Sequence, residues 1–142
     1  MGPETARSYT QSNYPEDSAV SAASVYIVEE RPQVRTALAA RLGQSPQIKV
    51  MGHRGEAQAA LAEIEESQPD AILLEVKRTD GMGLEILRRL ADLPARPKII
   101  VLTSYPASWE KLSAERTGAD AYVLKDVESE ELIRLILELV GD

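Results

Sequence analysis

The chain of 142 residues contains no cysteine and no phenylalanine, and it has one histidine and one tryptophan. Without cysteine, the chain has no disulfide framework, no thiolate metal site and no cysteine nucleophile. The single histidine, His53, excludes a histidine-cluster metal site and a Ser–His–Asp triad built on another histidine.

Positive charge is also scarce, since 16 Lys and Arg stand against 23 Asp and Glu, which gives a net charge of −7. A net anion is a poor non-specific binder of nucleic acid or anionic lipid, so we expect no direct nucleic-acid binding and no membrane binding. No apolar run is as long as a membrane span, and no signal-peptide pattern opens the chain. We expect a cytoplasmic protein with a single folded domain.

The chain divides into a polar tail and a segment with alternating strand and helix patterns. Residues 1–24 are rich in Ser, Pro, Thr, Gln and Asn, which predicts a disordered N-terminal tail, followed by one domain over 25–142. Apolar runs predict strands at 24–28, 48–52, 71–74, 98–102 and 121–124, and amphipathic spacing predicts helices near 32–43, 57–67, 84–90, 108–117 and 129–140. This alternation predicts an α/β fold in which a parallel sheet is covered by helices on both faces.

Polar residues follow four of the five predicted strands at the points where the strands end. Glu29 and Glu30 follow strand one, Glu75 follows strand three, Thr103 ends strand four and Lys125 follows strand five. In an open α/β sheet the carboxyl ends of the strands form the ligand site, so these side chains are predicted to share a pocket. Three carboxylates would need a cation such as Mg²⁺, and a hydroxyl and an ammonium beside it would suit a phosphoryl group.

Five sequence segments carry a resemblance to a known family. They are Val-Tyr-Ile-Val-Glu-Glu (25–30), Pro-Asp-Ala-Ile-Leu-Leu-Glu (69–75), Gly-Leu-Glu (83–85), Ile-Val-Leu-Thr-Ser (100–104) and Gly-Ala-Asp-Ala-Tyr-Val-Leu-Lys-Asp (118–126). In this order and spacing, the chain resembles the receiver domain of two-component response regulators over about residues 25–140. With Asp126 directly after Lys125, the chain resembles the branch of this family whose members usually carry a LuxR-type helix-turn-helix output domain. The resemblance implies a flavodoxin-like fold with strand order 2-1-3-4-5.

The resemblance also implies roles for the residues of the predicted pocket. It implies that Glu29 and Glu30 form a Mg²⁺-binding acidic pair and that Glu75, at the phosphoacceptor position, completes the metal site. It implies that Thr103, Ser104 and Lys125 contact the phosphoryl group. It also implies that Tyr122 is the switch aromatic, whose ring moves inward when the pocket fills.

The phosphoacceptor position departs from the family, because Glu75 stands where the family has aspartate. One extra methylene moves the carboxylate by about 1.5 Å, whereas productive geometry tolerates about 0.5 Å, so we expect no ordinary phosphorylation. Asp70 precedes strand three and Asp80 lies out in the following loop, so neither replaces the acceptor. All three acids are longer than usual, so weakened Mg²⁺ binding is expected. The ammonium of Lys77 is either a substitute cation or a solvated loop group.

Two interpretations of the pocket remain open at this point. Glu75 either mimics the phosphorylated acceptor, reaching toward Thr103 and Lys125, or belongs to a vestigial pocket. Both predict an atypical receiver that is not an enzyme and signals through protein–protein interaction or dimerisation. The alternative is a phosphorylatable, Mg²⁺-dependent receiver in a phosphorelay, controlling transcription through an output domain outside this sequence. A small-ligand-binding flavodoxin-like domain is disfavoured, because no Gly-rich phosphate loop follows strand one.

The last two helices bear on the expected partners, which are a second copy, a sensor kinase or an output domain. The last helix carries more apolar residues than one core-facing stripe needs, which predicts a homodimer surface or a face covered by another segment. These residues are Leu132, Ile133, Leu135, Ile136, Leu137, Leu139 and Val140. In the fourth helix, Lys111 and Glu115 occupy positions that are generally apolar in the family, so Trp109 and Leu112 are predicted to anchor it.

Overall fold

The computed structural model describes residues 22–141, in which five strands and five helices alternate as predicted. The strands are β1 (Ala23–Val28), β2 (Ile48–Arg54), β3 (Ala71–Leu74), β4 (Lys98–Thr103) and β5 (Ala121–Leu124). The helices are α1 (Pro32–Gly43), α2 (Ala57–Ser67), α3 (Gly83–Ala91), α4 (Ser108–Thr117) and α5 (Ser129–Gly141). The predicted tail lies outside the described residues except at its end.

The end of the predicted tail belongs to the first strand. The backbone N–H of Ala23 donates to the carbonyl of Gln47 at 2.9 Å. Ser24 exchanges two hydrogen bonds with Asp70, its N–H donating to the carboxylate at 2.9 Å and its hydroxyl accepting from the Asp70 N–H at 2.8 Å. These contacts extend β1 by one residue before the predicted start. They also place Asp70 at the amino end of β3, away from the carboxyl ends of the strands.

The five strands form one parallel sheet in the order β2-β1-β3-β4-β5. This order confirms the arrangement that the resemblance implied. The chain builds the sheet in one direction from β1 to β2 and in the other from β3 to β5. The loops after β1 and β3 therefore diverge to opposite faces, which opens a crevice at the carboxyl ends of these two neighbouring strands.

Alternation along the buried strands divides the core into two layers. In β1, Tyr26 and Val28 face one layer, where they pack with apolar residues of α2, α3 and α4. Val25 and Ile27 face the other layer, where they pack with α1 and α5. β1, β3 and β4 are buried on both faces, which explains their continuous apolar sequences. The polar residues that follow these strands are consequently held on a rigid base.

The prediction that Trp109 and Leu112 anchor α4 is wrong. The two side chains are 67% and 47% exposed, whereas Glu110 and Ala114 are buried. Residues four apart lie on the same face of a helix, so Glu110 and Ala114 form the row that faces the sheet. Trp109 precedes this row by one residue, which rotates its side chain about 100° toward solvent. The fourth helix thus buries an acid and exposes its largest apolar side chain.

The apolar residues of α5 are largely used within the domain. Leu132 and Ile136 are fully buried, and the other five apolar residues named above are partly buried against the same core layer. Part of the apolar excess that predicted a homodimer therefore covers α1 and the sheet. Homodimerisation through α5 stays a prediction. Among residues 22–141, no helix combines the length and the apolar character that crossing a membrane requires.

Candidate functional site at the carboxyl edge of the sheet

Backbone hydrogen bonds that continue the sheet beyond the strand ends position the site. The N–H of Glu29 donates to the carbonyl of Arg54 at 3.1 Å, and the N–H of Glu75 donates to the carbonyl of Val28 at 3.1 Å. On the far side, the N–H of Lys125 donates to the carbonyl of Thr103 at 2.8 Å. Each functional residue is thus fixed one position past its strand, and the side chains of Glu29, Glu75 and Lys125 converge.

The ammonium of Lys125 bridges two carboxylates in the centre of the site. Its Nζ contacts Glu29 Oε1 and lies 2.9 Å from Glu75 Oε1. The Glu29 and Glu75 side chains are 4% and 5% exposed, and the Lys125 side chain is 15% exposed. Two carboxylates out of water repel each other unless a positive charge lies between them. Lys125 supplies that charge.

The second oxygen of each bridged carboxylate accepts a hydrogen bond from the backbone. The N–H of Arg31 donates to Glu29 Oε2 at 3.0 Å, and the N–H of Lys77 donates to Glu75 Oε2 at 2.9 Å. Burial by itself raises the pKa of the Glu29 carboxyl. Hydrogen bonds from Lys125 and Arg31, together with the lysine charge, outweigh burial and lower that pKa below its ordinary value. Glu29 is therefore held in its charged form at neutral pH.

Glu30 points away from the other two acids and holds the loop between β3 and α3. Its two carboxylate oxygens accept from the N–H and the hydroxyl of Thr79, at 2.7 and 2.8 Å. In the same loop, the buried guanidinium of Arg78 donates to the carbonyl of Gly55 at 2.6 Å and pairs with Asp80 at 2.9 Å. The loop is tied to the segments after β1 and β2, and Asp80 is engaged away from the strand end.

Two of the remaining predicted site residues, Ser104 and Lys77, line a cavity of about 270 Å³ that also touches Glu29, Glu30 and Glu75. Ser104 is exposed, whereas Thr103 is fully buried and does not line this cavity. The Thr103 hydroxyl lies 3.3 Å from both the N–H and the carbonyl of Tyr105. Lys77 donates its ammonium to that same carbonyl, with Nζ 5.8 Å from the Tyr105 ring centre. Its ammonium therefore lies on the cavity rim, and Lys125 occupies the central position.

Tyr122 is partly buried, and its hydroxyl donates to the carboxylate of Glu110. The hydroxyl also faces the Thr103 side chain and accepts from the N–H of Ala107 at 3.4 Å. Burial, and then the bond to Glu110, raises the pKa of Tyr122. Sequence reasoning missed Glu110. The available signal was the four-residue spacing between Glu110 and Ala114, which places an acid on the inward row of α4.

The residues present do not fit a bound Mg²⁺ ion in this arrangement. Mg²⁺ requires near-octahedral coordination by oxygen atoms that are free to bind it. Of the three predicted ligands, the structure brings Glu29 and Glu75 together, with all four of their oxygens hydrogen-bonded or ion-paired, and turns Glu30 toward Thr79. Within residues 22–141, no group of three acidic or histidine side chains could hold a metal ion.

Comparison with known proteins identifies curated relatives of this chain. The chain is 33% identical over 115 residues to the DNA-binding transcriptional activator DevR/DosR of Mycobacterium tuberculosis, covering 81% of this chain and 53% of that protein. It is 28% identical over 114 residues to the nitrate/nitrite response regulator protein NarL of Escherichia coli strain K12, covering 80% and 53%. The chain thus spans about half the length of the curated relatives that it matches.

Solved structures show the same architecture. The signal receiver domain of a response regulator from Mycobacterium tuberculosis superposes with a TM-score of 0.79 at 20% identity, covering 86% of this chain and 98% of that one. At this identity the likeness shows the fold alone. The model of the response regulator receiver domain family matches residues 25–137, which include the carboxyl end of every strand. The chain therefore belongs to the receiver-domain family of two-component response regulators.

Proposed function

We propose that this receiver domain signals through protein contacts and is not phosphorylated at Glu75. The observation that carries the proposal is the engagement of the Glu75 carboxylate, which contacts the Lys125 ammonium with one oxygen and the Lys77 N–H with the other. An acceptor oxygen must approach a phosphoryl donor in line, and small displacements are costly. Engagement of both oxygens, on a side chain one methylene too long, opposes that approach.

The proposed pocket needs no divalent cation. The charges of Glu29 and Glu75 are balanced by the ammonium of Lys125 and by the guanidinium of Arg31, which lies 3.6 Å from Glu29 Oε1. Two backbone N–H groups donate to the remaining carboxylate oxygens, so the protein itself supplies what Mg²⁺ would otherwise provide. The cations of this pocket are therefore Lys125 and Arg31, while the ammonium of Lys77 donates to the Tyr105 carbonyl at the rim. Because the charges are already balanced, we propose a fixed signalling state without turnover of any substrate. The expected cytoplasmic location stays a prediction.

A second candidate is an ordinary phosphorylatable receiver in a phosphorelay. Family membership supports it, as does the presence of Thr103 and Lys125 at the strand ends beside Glu75. This candidate requires Lys125 to release Glu75, and it requires Glu29 to become available to a metal ion. The two candidates therefore make opposite predictions for the natural chain in the presence of a phosphodonor.

Intact-mass spectrometry after incubation with acetyl phosphate and Mg²⁺ separates the candidates. The natural chain is expected to keep its mass, and Glu75→Gln serves as the control in which the tested carboxyl is absent. Glu75→Asp tests the rest of the pocket. A phosphoryl adduct on Glu75→Asp alone would show that Glu75 sets the fixed state, whereas no adduct on either would show a scaffold. An adduct on the natural chain that Glu75→Gln removes would refute the proposal.

We propose that the partner is another protein domain, bound on the side of α4 and β5. Four large apolar side chains are exposed there: Tyr105, Trp109, Leu112 and Leu124. A DNA-binding output half is the proposed partner, because DevR/DosR is a DNA-binding transcriptional activator and this chain matches about half of it. Gene control would then be the function of the assembly, and this domain would bind no nucleic acid itself.

A further inference from the structure

Glu110 is a buried acid in a helix whose other charged residues are exposed. It is 3% exposed, while Lys111 and Glu115 of the same helix face solvent. Glu110 lies in the first turn of α4, where the helix dipole favours an acid whether or not it is buried. The dipole therefore accounts for the residue type and leaves the burial to be explained.

The hydrogen bond from the Tyr122 hydroxyl offsets the cost of burying the Glu110 carboxylate. Burying a carboxyl without a hydrogen-bond partner is costly, and among residues 22–141 no ion pair involves Glu110. The Tyr122 hydroxyl donates to Glu110 Oε1. A hydrogen bond to a charged acceptor is about twice as strong as one between neutral groups.

The same hydroxyl also contacts the pocket side of the sheet. Tyr122 pairs with Val101 in the ladder between β4 and β5, and its ring packs against the core layer that includes Ala114. The hydroxyl faces Thr103 and accepts from the N–H of Ala107, the residue that precedes α4. The Tyr122 side chain thus joins β5, the end of β4 and the first turn of α4.

We propose that Glu110 is a positioning residue that holds the Tyr122 ring inward whatever the state of the acidic pocket. The hydrogen bond acts from the α4 side, so it needs nothing from Glu29, Glu75 or Lys125. Glu110 lies on the buried row of α4, one residue after the exposed Trp109. The proposal does not rest on the absence of phosphorylation, since it holds equally if Glu75 accepts a phosphoryl group.

The test measures the solvent exposure of each tyrosine in the full chain. Protein labelled with 3-fluorotyrosine is studied by fluorine NMR with a soluble gadolinium chelate, and Tyr122→Phe identifies the Tyr122 signal. Tyr105 at 76% exposure and Tyr26 at 1% exposure are internal references for open and protected rings. In the natural chain, Tyr122 is expected to be protected, with and without acetyl phosphate and Mg²⁺.

Substitution of Glu110 is expected to release the ring. Glu110→Ala should remove the protection of Tyr122 and shift its relaxation toward that of Tyr105, whereas Glu110→Gln, whose amide oxygen can accept the same bond, should retain the protection. Glu115→Ala, an exposed acid on the same helix, is the matched control and should change nothing. Protection of Tyr122 that survives Glu110→Ala, or that Glu115→Ala removes equally, would overturn the proposal.

A second variant keeps the proposal falsifiable if Glu110→Ala does not fold. The chain contains no phenylalanine, so Tyr122→Phe labelled with 4-fluorophenylalanine carries a single fluorine signal at position 122. Without a hydroxyl to donate to Glu110, this ring is expected to be less protected than the fluorotyrosine at the same position. Equal protection of the two rings would show that packing, and not Glu110, holds the side chain inward.

Discussion

Replacing Lys125 by methionine tests the central ion pair. The change keeps an unbranched apolar side chain, shorter by one atom, but removes the charge between Glu29 and Glu75, whose side chains are 4% and 5% exposed. Removing one partner of a buried ion pair costs about 3–5 kcal/mol. Because the Lys125 side chain is 15% exposed and water reaches part of it, we take the lower end, about 3 kcal/mol at neutral pH.

Urea denaturation followed by circular dichroism measures this loss in the free energy of unfolding. Lys49→Met is the matched control, because Lys49 is exposed on β2, and surface substitutions usually stay within about 0.5 kcal/mol. If Lys125→Met lost less than about 1 kcal/mol, Lys125 would not be the group that allows Glu29 and Glu75 to be buried together.

The pH dependence of this loss follows from the pKa of Glu29. Its pKa is lowered in the folded chain, so its contribution to stability is present above the unfolded pKa and is lost as the pH falls through the folded value. In Lys125→Met the lysine that lowers the pKa is gone, and burial favours the protonated acid. The difference in stability between the natural chain and the variant should therefore shrink as the pH falls from neutral toward the ordinary pKa of 4.5. A difference that stays constant over this range would refute the electrostatic explanation.

Two further predictions concern the loop after β3 and the last helix. Glu30→Ala removes the carboxylate oxygens that accept from the N–H and hydroxyl of Thr79. The free energy of local opening in residues 76–82 should fall by about 1–2 kcal/mol, so amide hydrogen exchange there should accelerate. Unchanged exchange at Thr79 would contradict the role given to Glu30. If α5 forms a homodimer, light scattering during size-exclusion chromatography should give a mass of about twice 15.6 kDa. Ile133→Glu should halve that mass, whereas Leu112→Glu should leave it unchanged. A monomer at every concentration would disprove that surface.

The fold and the position of the site were predictable because they depend on patterns that are local in the chain. Continuous apolar runs indicated strands buried on both faces, and the polar residue after each run indicated the carboxyl edge of a parallel sheet. The side chains of Glu29, Glu75 and Lys125 meet at that edge as the pattern predicted. Thr103 accepts from the Lys125 N–H through its backbone carbonyl, but its side chain is fully buried. The two core layers follow from the same alternation.

The direction of individual side chains was not predictable, because it depends on partners from distant segments. Glu30 is adjacent to Glu29 in sequence, yet it bonds to Thr79, 49 positions away. Trp109 was predicted to be inward because large apolar residues usually are, but the row of α4 that faces the sheet begins one residue later. A shift of one residue in a helix exchanges an inward side chain for an outward one, and composition alone does not fix that rotation.

Because Trp109 faces outward, its fluorescence reports directly on the binding of a partner to α4. Trp109 is the single tryptophan, and its side chain is 67% exposed on the proposed partner surface. A domain that covers α4 would transfer the indole from water to an apolar contact, which shifts its emission to the blue and shields it from soluble quenchers. Titrating a candidate partner into the unlabelled chain would therefore locate binding to this face in a single fluorescence experiment.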